Sequence, residues 1–221
     1  MTPGGPVAVI SPHLDDAVFG CGELLAARPG SVVITIFAGR PPRPAHLTPW
    51  DAASGFRPSD DVMARRREED RAALSRLGAR PCWLDFLDAQ YAPPPPEAGI
   101  AAALEHALAG VAGECYLPLG LFHSDHALAH AAAVHLMHRR PERRWFAYED
   151  AMYRRIAGLL DGRLRQLRSA GVRAEQGSQS DGCLLHEKRR AMACYRSQLR
   201  ALRTPGRPGY ADALAPERYW R

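Results

Sequence analysis

Two short segments of this chain carry side chains able to hold a metal ion and move protons. The first reads Ser11-Pro12-His13-Leu14-Asp15-Asp16. His13 and Asp16 stand three apart across a tight turn, so an imidazole and a carboxylate can meet one ion. That pairing suits zinc or a similar first-row metal. Asp15, between them, is free to handle protons. Acids at this place also have a plainer use, as caps or dipole partners in the first turn of a helix. The second segment reads His123-Ser124-Asp125-His126. A third ligand from His126 completes a His-Asp-His set with an open position for water, as hydrolytic zinc sites require. His123 then reaches the site without binding the metal. Asp125 either orients a histidine from behind or caps its helix.

Both segments need elements that bring them together. Apolar, β-branched runs predict strands at 7–10, 32–37, 82–86, 115–119 and 145–148, and amphipathic stretches predict helices at 16–28, 60–78, 97–112 and 126–139. Strands alternating with helices of this size give βαβ units. The fold class is α/β, a Rossmann-like, mostly parallel sheet flanked by helices. Each candidate segment follows a strand and opens a helix, so both lie at the carboxyl edge of the sheet, where open α/β sheets bind ligands. The Pro-rich loops at 38–59 and 87–96 leave the same edge and are expected to border the pocket. Beyond Asp150 the pattern changes. The Asp161-Gly162 pair predicts a hairpin at 159–164, and 183–203 reads as one long basic helix. These form a C-terminal hairpin and helix appended to the sheet. A Pro- and Gly-rich tail at 204–221 is expected to pack loosely.

The chain has 221 residues, 46% of them hydrophobic and 24% charged, enough for one domain, 1–221, with a full core. Five cysteines with no C-x-x-C pair argue against a disulfide scaffold or a Cys-rich zinc knuckle. The formal net charge of +5 is carried almost wholly by arginine, without a nucleic-acid motif beside it, so no nucleic-acid partner is expected. No apolar run is long enough for a membrane span, and no leader is legible, so a cytoplasmic protein is expected. Competing motifs fail on reading. A metallo-β-lactamase-like H-x-H-x-D-H needs His where Leu121 stands, and a zincin H-E-x-x-H needs Glu where Ala127 stands.

The first segment, continued through Ala17-Val18-Phe19-Gly20-Cys21-Gly22, resembles the P-H-x-D-D motif of the LmbE-like, or PIG-L, zinc-dependent de-N-acetylases. His123-Ser124-Asp125-His126 resembles their H-x-D-H motif. Arg66-Arg67-Glu68-Glu69 with Leu77-Gly78 is similar to their R-x-x-E helix, and Tyr148-Glu149-Asp150 to a late aromatic segment. The resemblance implies removal of acetyl from an N-acetylated amino sugar, in an N-acetylglucosamine-type glycoconjugate or a secondary-metabolite sugar. It implies Zn2+, or another divalent ion, on His13, Asp16 and His126, activating water for attack on the amide. Asp15 is then the base, and His123 stabilises or protonates the reacting amide. Arg66, Glu69, Tyr148 and Glu149 become substrate contacts, with Asp125 behind the site. One departure stands out. Some members carry a tyrosine shortly before H-x-D-H, and Leu119-Gly120-Leu121-Phe122 supplies no hydroxyl. Two alternatives remain at this point: a metal-dependent amidase or deacylase for a non-sugar acyl amide, and a non-catalytic binding module of the same fold.

Overall fold

A computed structural model describes residues 4–42, 46–172, 174–207 and 209–221. The elements run β1 (Ala8–Ser11), α1 (Asp16–Ala27), β2 (Val32–Thr35), α2 (Pro49–Ser54), α3 (Val62–Arg76), β3 (Arg80–Trp83) and α4 (Glu97–Leu108). They continue β4 (Cys115–Pro118), α5 (Ser124–Arg139), β5 (Trp145–Tyr148), α6 (Leu159–Ser169), β6 (Gln176–Gln179), α7 (Leu185–Met192), α8 (Arg196–Leu202), a 3-10 turn (Ala211–Leu214) and β7 (Arg218–Trp220). The sheet order is β3-β2-β1-β4-β5-β7-β6. The first five strands are parallel, while β7 runs antiparallel to both β5 and β6.

The central strands β1, β2 and β4 are buried on both faces because helices cover both. Val9, Val33, Tyr116 and Phe146 pack with α1, α3 and α7, whereas Ala8, Ile10, Ile34 and Leu117 pack with α4 and α5. The period of two along each strand thus divides one apolar run between two cores. Chain direction across the sheet reverses at β1, from which β2 lies on one side and β4 on the other. That switch point opens a crevice at the carboxyl ends of β1 and β4.

Helix α1 packs unusually close to its neighbours. A Cβ on Gly20 would sit 2.7 Å from the Tyr148 ring, and one on Gly22 would sit 2.6 Å from the Lys188 stem. The backbone leaves helical geometry at Cys21 (φ −136°). The neighbouring N–H groups of Glu23 and Leu24 donate to the Glu217 carboxylate instead.

Three C-terminal expectations are corrected. The segment 159–164 is not a hairpin; it begins α6. Leu164 and Leu167, at helical spacing, bury against Leu119, Leu121 and Trp220, and that packing overrides the local Asp-Gly signal. The long helix at 183–203 is two helices. Tyr195 turns inward at the break to donate to Asp70, and the Glu69 carboxylate accepts from the Ser197 N–H and hydroxyl at the start of α8. The 204–221 tail does not pack loosely. Tyr219 and Trp220 are buried, and β7 is hydrogen-bonded between β5 and β6. The antiparallel pair at the C-terminus is therefore β6 and β7. The 38–59 loop also holds a short helix, α2, with a Thr48–Asp51 capping box.

Candidate metal and catalytic site

The turn after β1 is built by its own side chains. Ser11 Oγ donates to the His13 carbonyl and accepts from the Ala17 N–H, closing the loop between strand and α1. Asp16 Oδ2 accepts from the His13 N–H at 2.9 Å. Asp15 occupies the N-cap position but makes no capping hydrogen bond. Its carboxylate faces the cavity beside the site, which answers the capping alternative for this residue.

Asp16 Oδ2 also lies 3.1 Å from His13 Nδ1 and 3.2 Å from His126 Nε2. Donor atoms of the three residues all fall within 4.8 Å of one another. Bonds of about 2.0–2.1 Å in a tetrahedral set separate ligand atoms by about 3.3 Å, so this trio fits one divalent cation. The outer nitrogen of each histidine is held by a second carboxylate. His13 Nε2 is 3.0 Å from Asp125 Oδ2, and His126 Nδ1 is 2.5 Å from Asp150 Oδ1. Those carboxylates are fixed in turn, Asp125 by the Ala89 N–H and Asp150 by the Leu121 N–H. Carboxylates behind metal-ligating histidines set the ring orientation and leave the inner nitrogen for the ion.

Electrostatics separate the two adjacent acids. Burial works against the Asp16 carboxylate, but His126 and His13 outweigh it and hold its pKa far below the usual range. Burial and the neighbouring Asp16 charge push Asp15 up to about 7. The two acids are thus pulled apart, Asp16 down and Asp15 up, the division expected of a ligand beside a base. His126 rises to about 9, since Asp16 and Asp150 outweigh its burial. His13 is also raised, its burial outweighed by Asp125, Asp16 and Asp88. His123 shifts the other way, lowered by burial and by the two neighbouring histidines. Its Nδ1 accepts from the Asp125 N–H at 3.2 Å, so a neutral ring carries its proton on Nε2.

A cavity of about 840 Å3 opens over these groups. Trp50, Asp88 and Gln90 from the two Pro-rich loops line it, as does Arg66, whose guanidinium donates to Asp51 at 3.0 Å. Other sequence-predicted contacts lie elsewhere. Tyr148 is fully buried and donates to the Ile10 carbonyl. Glu149 is buried against Trp220, and Glu69 serves α8. Asp150, from the same late segment, supports His126 from behind. Sequence reasoning missed Met152, Tyr153 and Ile156 after β5, and Gln198, Leu202 and Arg207 near the C-terminus, all of which line the cavity. These residues carry no motif, and only the position of β7 and α8 brings them here.

Residues 8–137, more than half of the chain, match the GlcNAc-PI de-N-acetylase family, PIG-L. The chain belongs to the PIG-L family. No curated protein matches it. Among solved structures, the A40926 pseudoaglycone deacetylase Dbv21 is 28% identical, with 97% of this chain and 96% of that one covered and a TM-score of 0.75. A zinc-inhibited form of the teicoplanin deacetylase Orf2 is 22% identical, with 97% of each chain covered and a TM-score of 0.77. The hydratase GalB from Pseudomonas putida shares the fold at 15% identity, covering 98% of this chain and 95% of its own, with a TM-score of 0.56. The PIG-L fold therefore carries more than one chemistry, and the reaction has to be argued from the site.

Proposed function

We propose that this PIG-L member is a zinc-dependent N-deacetylase that hydrolyses the acetamide of an N-acetylated amino sugar within a glycoconjugate. One observation carries the reading. Asp15, a carboxylate that burial and the Asp16 charge push up to about 7, stands beside a trio whose histidines are each backed by a carboxylate. A binding module has no use for such a base. The family's GlcNAc-PI description and the deacetylases among the similar structures support the acetyl sugar as substrate.

His13, Asp16 and His126 would hold a zinc ion, which would supply Lewis acidity toward water and the amide carbonyl. Asp15 accepts the proton of the attacking water as its oxygen bonds to the carbonyl carbon. His123 donates an Nε2–H hydrogen bond to the carbonyl oxygen as charge builds there, an interaction of a kind worth several kcal/mol. It acts as a neutral donor, the stabilising one of the two roles that the family resemblance implies. The C–N bond then breaks, and the proton gathered by Asp15 passes to the leaving nitrogen. Acetate and the free amine are the products. Asp125 and Asp150 hold the imidazoles of His13 and His126 in place throughout. Arg66, anchored by Asp51, offers its remaining donors to sugar hydroxyls.

The test is acetate release from methyl N-acetyl-β-D-glucosaminide, with the metal content of the same sample measured by mass spectrometry. Zinc-dependent release is expected. Release of acetate only from non-sugar amides would move the protein to the amidase class. Among the described residues no helix is long and apolar enough to cross a membrane.

A further inference from the structure

We propose that the catalytic cavity contains an aromatic subsite, formed by Phe122, Tyr153 and Ile156, that binds an aryl aglycone attached to the sugar. This rests on the deacetylase reading above and adds the class of group that the sugar carries. The cavity volume of about 840 Å3 lies toward the top of the roughly 300–1,000 Å3 span of small-molecule sites, more than one acetamido sugar requires.

Phe122 and Ile156 are the exposed large hydrophobic residues among the described ones, at 70% and 42% exposure. Both line this same cavity. Single exposed apolar residues are ordinary, but two meeting at the mouth of a reactive cavity form a patch with a use. The Phe122 backbone adds an independent observation. It is the one non-glycine residue with positive φ, +62°, among those described. A bulky residue in the left-handed region is strained and persists where its surroundings or its function demand it. Here the strain turns an aromatic ring toward solvent rather than into a core.

That ring stacks on Tyr153 with centroids 5.2 Å apart and planes at 29°. Tyr153 in turn meets the His126 ring edge-on at 5.3 Å. A row of rings therefore runs from solvent to a ligand of the metal site. Phe122 also directly precedes His123, the proposed donor to the amide. A sugar placed with its acetamide at His123 has the remainder of its molecule beside this row. Aromatic faces of this kind favour a flat aryl group in offset or edge contact.

The test compares two ligands that share one sugar, p-nitrophenyl and methyl N-acetyl-β-D-glucosaminide. Calorimetric binding and acetate release are both measured. The aryl compound should bind about tenfold tighter, the scale of one good aromatic contact. Phe122→Ala and Ile156→Ser should each reduce that preference to about threefold or less. Both positions are exposed, so both variants should fold. If the aryl preference appears and falls in the variants while neither compound releases acetate, the subsite stands and the deacetylase reading fails. Equal binding of the two ligands, no binding of either, or a preference untouched by both variants overturns the subsite. Concentration-dependent dimerisation lost in Ile156→Ser, with no aryl preference, would instead assign the patch to a second copy of the chain.

Discussion

At the residue scale, two neighbouring carboxylates sit in opposite electrostatic environments. Asp16 is held ionised by two histidines, whereas for Asp15 burial and the Asp16 charge outweigh the relief from His13, its own N–H and Arg66. The folded protein therefore binds a proton at Asp15 more tightly than the unfolded chain does. Stability of the metal-free protein should fall as pH rises from about 4 to about 7 through this group, and the penalty is complete above 7. Asp15→Asn removes that penalty. In thermal melts of metal-free protein the variant should be more stable by roughly 4 kcal/mol at pH 8, with the advantage vanishing near pH 4. An equal effect at both pH values would show that the Asp15 carboxylate is not held near neutrality. Phe122 supplies a second local cost to stability, in its backbone. Phe122→Gly relieves the left-handed backbone and should raise stability by about 1 kcal/mol while removing a ring from the cavity wall. An unchanged or lower melting temperature would place the strain elsewhere. The His13–Asp16–His126 cluster was legible in the sequence because a three-residue spacing in a tight turn brings a His and an Asp within reach of one ion. Asp150 was legible only as part of a late segment. Its role as the carboxylate behind His126 needs β5 to lie beside β4, and no local spacing announces that.

At the element scale, each turn and break has a side chain that fixes it. Ser11 closes the β1–α1 loop, and Glu69 caps α8 through Ser197. Glu69 in the R-x-x-E stretch reads from sequence as a substrate contact, yet it serves the helix that forms one wall of the cavity. Glu69→Ala should lower stability by roughly 1–2 kcal/mol, as the loss of a helix cap does, without a change in metal content. Loss of metal in this variant would place Glu69 at the site after all. The first five strands and their helices could be read because their hydrophobic periods are clean. The region from 159 onward was misread because its signals are local, an Asp-Gly pair and a run of basic residues. Its structure is set by contacts with distant strands. Leu164 and Leu167 pay attention to Trp220, more than fifty residues away, rather than to their own turn.

At the scale of the whole molecule, the C-terminal segment locks the helix that carries Asp16. Lys188, the single lysine of the chain, is buried and donates to Glu217 at 2.7 Å. Glu217 also accepts from the Glu23 and Leu24 N–H groups beside the Cys21 kink and from the Tyr219 hydroxyl. Glu217→Ala leaves a buried cation and open N–H groups, and it should cost about 3–5 kcal/mol. Lys188→Met combined with Glu217→Gln removes the cation and keeps an acceptor, so it should recover much of that loss. Failure of the pair to recover any stability in denaturant melts would mean that the charge is not what Glu217 answers. The sheet order places β1 and β4 side by side, and this brings motifs more than a hundred residues apart to one crevice. The C-terminal strand and α8 complete its walls.

The measurement that bears most directly on the central claim is made on one preparation of Asp15→Asn. Bound metal is counted by mass spectrometry, and acetate release is followed on a substrate that the wild type turns over. One metal per chain should remain, because His13, Asp16 and His126 are untouched. Turnover should fall by about 10²–10⁴-fold, the usual contribution of a positioned base. Near-normal turnover with the metal retained would contradict the account.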